Sequence, residues 1–135
     1  MDTLVVPATL ESLEPLGHYV IEAARAAGLE AKAAYRLRLA VDELATNIFM
    51  HGYSTHIGMV RLEASIQPDS LIICIEDTGP AFDPRVVEAP DLNLPPEERP
   101  VGGLGVYLVT QSVDKLDYER AGNRNRTTLT MRRPK

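Results

Sequence analysis

Glu43 and Asn47 stand four residues apart in a stretch of helical periodicity, so both side chains lie on one face of one helix. At about 100° per residue, that face runs beside the apolar stripe Leu37, Val41, Leu44 and Ile48, at a core edge where a pocket can open. Magnesium prefers oxygen ligands and keeps several waters, so one amide oxygen together with phosphates and water would hold it. The neighbouring carboxylate could accept a proton from an attacking hydroxyl. Taken alone, the pair is better read as a solvated helix face. Asp77-Thr78-Gly79-Pro80-Ala81-Phe82 directly follows the apolar run 71–75. A carboxylate at a strand end can accept a hydrogen bond from an exocyclic amine, and Gly79 lets a flat ring approach the backbone, with Phe82 as a wall. An ordinary turn after a strand has the same wording. Gly102-Gly103-Leu104-Gly105 opens a helical stretch, where glycines free N–H groups to curl around an anion and the helix start adds positive potential. Arg99 just upstream could neutralise phosphate charge. Close helix packing explains such glycines nearly as well. Thr128 places a hydroxyl in a predicted strand, and Thr is also a common strand residue.

These residues need a frame. Thr3 to Val6 is a short β-prone opening closed by Pro7, and residues 9–27 turn helical, with Leu10, Leu13, Leu16, Val20, Ile21 and Ala24 near helical spacing. Gly28 is a natural stop. A second helix is expected from about Glu30 to His51, ended by Gly52. The period then falls to two: Val60, Leu62, Ala64 and Ile66 alternate with polar residues, Gln67 to Ser70 is a turn, and 71–76 is a more fully buried strand. These two strands form a hairpin. Residues 78–102 hold six of the ten prolines, and a loop of that length in a small domain is either functional or disordered. A third helix is expected from Gly103, carrying Leu104, Leu108 and Val109. Strands over 115–120 and 126–132 flank the turn Ala121-Gly122-Asn123. Helices early and strands late predict an α+β, two-layer sandwich with a mostly antiparallel, mixed sheet. One domain over 1–135 is expected, without repeat or linker.

The net charge of −5 argues against broad binding to nucleic acid or an anionic membrane. The basic cluster Arg124, Arg126, Arg132, Arg133 and Lys135 is read as a solvated strand surface. The lone Cys74 lies in the apolar run and is expected to be a buried, inert thiol in a reducing compartment. No basic-then-apolar leader opens the chain, and no apolar run is long enough for a bilayer, so a cytoplasmic protein is expected. His51 continues the 43, 47 spacing but has no second His or Cys beside it, so it is read as packing or capping its helix rather than binding metal. His18 and His56 are read as surface residues.

The order of these signals is more specific than any one of them: Glu-x-x-x-Asn on a helix, Asp-x-Gly-x-x-Phe after a strand, a Pro-rich lid, glycines opening a helix, then Thr on a strand. That series resembles the N, G1 and G2 boxes of the GHKL (Bergerat-fold) ATPases. The run from Leu39 to Asn47, with His51-Gly52-Tyr53 after it, is similar to the anti-sigma factor serine/threonine kinases, and so is the run from Glu97 to Val109. By that resemblance, Asn47 would hold magnesium, Glu43 would be the base, and Asp77 would bind the adenine amino group beside Gly79. Arg99, Gly102, Gly103, Leu104 and Gly105 would belong to a lid over the ATP phosphates, and Thr128 would support the adenine site. Met50 falls where relatives often carry a polar or charged residue. The implied activity is phosphorylation of a Ser or Thr on an anti-sigma factor antagonist of the STAS type. The implied partners are that antagonist, a sigma factor and, in a homodimer, a second copy. The alternative is a non-catalytic module that uses ATP as a ligand to sequester a sigma factor or other regulator. A P-loop is excluded, because Gly-x-x-x-x-Gly-Lys-Ser/Thr does not occur.

Overall fold

The structure, a computed structural model, describes residues 2–52, 58–81, 83–86, 109 and 111–134, with the side chains of His51, Gly52 and Val86 not described. The elements run in the order β1 (Leu4–Pro7), a 3-10 turn (Leu10–Ser12), α1 (Leu13–Ala26), α2 (Ala31–Asn47), a π-helical turn (Ile48–Gly52), β2 (Met59–Ile66), β3 (Ser70–Asp77), a 3-10 turn (Pro84–Val86), β4 (Lys115–Ala121) and β5 (Arg124–Arg132). The sheet order is β1-β2-β3-β5-β4. Among the described residues all four pairings are antiparallel, in keeping with the mostly antiparallel sheet expected, though without the parallel pairing of a mixed one.

Period-two burial decides which sheet face meets the helices. Val60, Leu62 and Ala64 of β2, Leu71, Ile73 and Ile75 of β3, and Leu129 and Met131 of β5 are buried on one face. Against it α1 lays Leu16, Val20, Ala23 and Ala24, and the interior continues into α2 through Leu37, Val41 and Leu44. The helices approach closely at Gly17, where a Cβ atom would lie 2.7 Å from Nε of Arg38. One bond ties the layers beyond the end of β1: the Ala64 N–H, past the last β1 partner Leu62, donates to the Tyr19 hydroxyl at 2.9 Å.

Gly28 ends α1 at φ +78°, a left-handed conformation that glycine adopts without a Cβ penalty. The Gly28 N–H bonds to the Arg25 carbonyl and the Leu29 N–H to the Ala24 carbonyl, the paired closure of a Schellman motif. The second helix departs from expectation at its end. Its α-helical part stops at Asn47 and the chain passes into the π turn, although the apolar spacing continues through Ile48 and buried Phe49. Val109 is helical and buried, but the start of the third helix lies outside the described residues.

Candidate functional site

Asn47 is buried (9% exposed) at the last α-helical position, and Glu43, one turn earlier, is half-buried. The Nδ2 atom of Asn47 is buried and has no hydrogen-bond partner. Folded interiors leave few polar atoms in that condition, since each costs its full desolvation penalty. A half-turn of the side chain exchanges the two amide atoms. The group can therefore present an oxygen to a cation or an N–H to an anion, and a ligand of either kind would satisfy it. Among the described residues, Oδ1 of Asp42 is the other such atom. Burial raises the Asp42 pKa, the Arg38 charge opposes that, and Glu43 adds to it.

Asp77 ends β3 on the helix-facing side, only 5% exposed. Its Oδ2 accepts the Gly79 N–H at 2.9 Å, which folds residues 77–79 into an Asx turn. Oδ2 also accepts from Nδ2 of Asn125 at 3.3 Å. Burial pushes the Asp77 pKa up, against the Gly79 bond, the Asn125 bond and the Arg120 charge, in that order. The turn is clamped from the β4–β5 hairpin. Arg120 Nη1 donates to the Gly79 carbonyl at 2.7 Å, and Asn125 Nδ2 donates to the carbonyls of Gly79 at 3.3 Å and Pro80 at 2.9 Å.

The structure thus joins Asp77 with Gly79 directly and sets Glu43 and Asn47 on successive turns of α2. It separates Thr128 from them. Directly paired residues share a face, and Thr128 pairs with Cys74 on the side away from the helices. Thr127, paired with Ile75 and 6% exposed, is the threonine on the Asp77 side. Thr128, expected near Asp77, thus lies on the opposite face from it, since one residue along a strand is a change of face. Phe82, Arg99, Gly102, Gly103, Leu104 and Gly105 lie outside the described residues, as does His56.

Sequence reasoning missed Asn125, Arg120 and Tyr118. None belongs to a motif, and only the register, which sets Asp77 opposite Asn125 and Asn125 opposite Arg120, brings them to the turn. Other readings need revision too. Cys74 is half-buried on the outer sheet face rather than in the core; burial raises its pKa, and Thr128 hydrogen-bonds to it. Of the basic cluster, Arg133 is no mere surface charge: it donates to the carbonyls of Ala27 and Gln67, each at 2.8 Å, fastening the end of α1 to the β2–β3 turn. His18 is exposed, as expected, with 73% of its side chain accessible. No helix among the described residues is long and apolar enough to cross a membrane.

The family described as "Histidine kinase-like ATPase domain" matches residues 6–133. Over 84 residues the chain is 33% identical to a serine-protein kinase RsbW of Bacillus cereus, an alignment covering 59% of this chain and 52% of that one. A serine-protein kinase RsbW of Bacillus mycoides is 30% identical over 84 residues, with the same coverage of 59% and 52%. The chain therefore spans about half the length of the curated relatives it matches. Among solved structures it is similar to the RsbU and RsbW domains of Rv1364c from Mycobacterium tuberculosis, with TM-score 0.63, 16% identity, and coverage of 99% of this chain and 34% of that chain. It is also similar to the histidine kinase domain of a blue-light activated histidine kinase from Erythrobacter litoralis, with TM-score 0.56, 20% identity, and coverage of 93% and 61%. At those identities the structural likeness concerns the fold alone.

Proposed function

Because this chain belongs to the histidine kinase-like ATPase domain family, we propose that it binds ATP with magnesium and transfers the γ-phosphoryl group to a serine or threonine of an anti-sigma factor antagonist. The observation that carries the reading is the buried, unpaired amide of Asn47 one helical turn after the half-buried Glu43. An amide in that state fits a magnesium–phosphate ligand, and the ion would offset phosphate charge when bound. Asn47 would hold it. Glu43 would take the proton of the attacking hydroxyl, a general-base role its place on the same helix face allows. Asp77 would accept the adenine amino group, with Gly79 leaving room for the ring. Residues 99–105 would close over the phosphates, and Thr127 rather than Thr128 would back the base site. The similarity to serine-protein kinases supports the acceptor class. A sigma factor would be the partner released or held in exchange with the antagonist.

Incubating the chain with radiolabelled ATP and a matching antagonist tests the reading. Labelled serine or threonine is expected, and Glu43→Ala is expected to lower its rate by about a hundredfold or more, the usual scale of general-base catalysis, while calorimetry finds ATP binding retained. ATP binding with no transfer in the unmodified chain would overturn the kinase and favour a nucleotide-responsive binding module. Full turnover in the Glu43→Ala variant would remove Glu43 as the base.

A further inference from the structure

Asn125 makes five hydrogen bonds, and their chemistry fixes which way its amide points. On one side stand donors: the Tyr118 hydroxyl donates to Oδ1, and Arg120 Nη1 donates to Oδ1 at 3.1 Å. Arginine has no acceptor, so only the amide oxygen fits there. On the other side stand acceptors alone, the Gly79 and Pro80 carbonyls and Oδ2 of Asp77, and only the N–H groups fit them. Tyr118 is itself held, with the Arg85 guanidinium 6.0 Å from its ring centroid. The three residues come from the paired strands β4 and β5, while the turn they grip is loop beyond the end of β3. Among the described residues, both bonds to the Asp77 carboxylate fall on Oδ2.

We propose that Asn125, pinned by Tyr118 and Arg120, is a positioning residue for base selection: by occupying Oδ2 of Asp77 and clamping residues 79–80, it presents Oδ1 as the acceptor for the exocyclic amine of a 6-aminopurine nucleotide. This rests on the ATP-binding reading above and deepens it, because it names the group that makes the site select for the amine. A buried carboxylate with one oxygen occupied and the other aimed distinguishes a base with an amine from one without it. A free-swinging carboxylate does so less.

The test uses the full chain and two magnesium nucleotides, ATP and purine riboside triphosphate, which differ only by the 6-amino group. Calorimetry on the unmodified chain is expected to favour ATP by about tenfold or more, the effect of one well-made hydrogen bond to a charged group. Asn125→Asp keeps the shape and the bonds to Tyr118 and Arg120 but sets an oxygen against three acceptors. It is expected to bring the preference below about threefold by weakening ATP, with the analogue nearly unmoved. A merely structural role would weaken both nucleotides together, and that result overturns the proposal. So does a folded variant that keeps the full preference, or an unmodified chain that binds both nucleotides equally. Should circular dichroism find Asn125→Asp unfolded, Tyr118→Phe removes one pinning donor, and the same ratio is expected to fall by about half; an unchanged ratio overturns the proposal. An unmodified chain that binds neither nucleotide overturns the ATP-binding reading itself, a result distinct from all of these.

Discussion

On the proposed reading the Asp77 carboxyl is buried for binding at a cost in stability, and the sign of its pKa shift makes that testable. Burial raises its folded pKa above the ordinary 3.8, so the folded chain takes up the proton more readily than the unfolded chain. The charged form therefore costs stability at neutral pH, and the cost is relieved as pH falls through the raised folded value. Asp77→Asn removes the charge yet keeps an oxygen for the Gly79 N–H and Asn125. Its melting temperature at neutral pH is expected to lie above that of the unmodified chain, with the gain shrinking as pH falls toward 4, while ATP affinity drops by about tenfold or more. A lower melting temperature at neutral pH, or unchanged ATP affinity, would contradict this assignment. The placing of Asp77 beside Gly79, and of Glu43 and Asn47 on successive turns of α2, was legible in the sequence because that spacing is local, within one helix or one turn. Asn125, Arg120 and Tyr118 were not, since their place depends on strand register between segments far apart in the chain. The face of each threonine was not legible for the same reason: the adjacent Thr127 and Thr128 offer opposite faces, and residue type does not say which faces the helices.

Among the elements, the helices and strands followed their periodicities because each buries a single face. The boundaries that failed are those where tertiary geometry overrides a pattern that continues. The helix from residue 31 keeps its apolar spacing past Asn47 yet changes to a π turn, which puts Asn47 at a break in the regular ladder. The C-terminus of α1 was legible, because Gly28 supplies the one conformation that closes the helix. No atom lies within 4 Å of where its Cβ would be, so substitution there meets backbone strain alone. Gly28→Ala is expected to cost about 1 kcal/mol in urea unfolding, with nucleotide affinity unmoved because α1 carries none of the proposed site. A cost near zero would mean that the left-handed cap is not what ends α1.

At the scale of the molecule, the described helices cover one sheet face, and charge organises the other. Glu76 points outward between Ile75 and Asp77, which point inward, and it is only 8% exposed. Its Oε1 accepts from Nε of Arg126 at 2.8 Å and pairs with Nη2 of the same guanidinium at 2.8 Å, while Arg61 and Arg124 stand 3.7 Å from Oε2. Two strands thus contribute guanidiniums to a carboxylate on a third: Arg61 comes from β2, Arg124 and Arg126 from β5, and Glu76 from β3 between them. Such a cluster stabilises little when every partner is exposed, but a nearly buried centre is screened less by water. Glu76→Gln keeps the side chain's size and one acceptor while removing the negative charge that three guanidiniums share; Arg61 keeps Glu63 and Arg126 keeps Glu119, each at 3.0 Å. The variant's unfolding free energy is expected to fall by about 2 kcal/mol at low ionic strength. In about 1 M salt, where the screening length falls to about 3 Å, much of the deficit is expected to disappear. Denaturant melts of both chains across salt concentration measure it. A deficit that is absent, or that persists unchanged at high salt, would mean that packing and backbone pairing hold the outer face. Nucleotide affinity is expected to stay level throughout, because alternation along β3 turns Glu76 and Asp77 to opposite sides of the sheet.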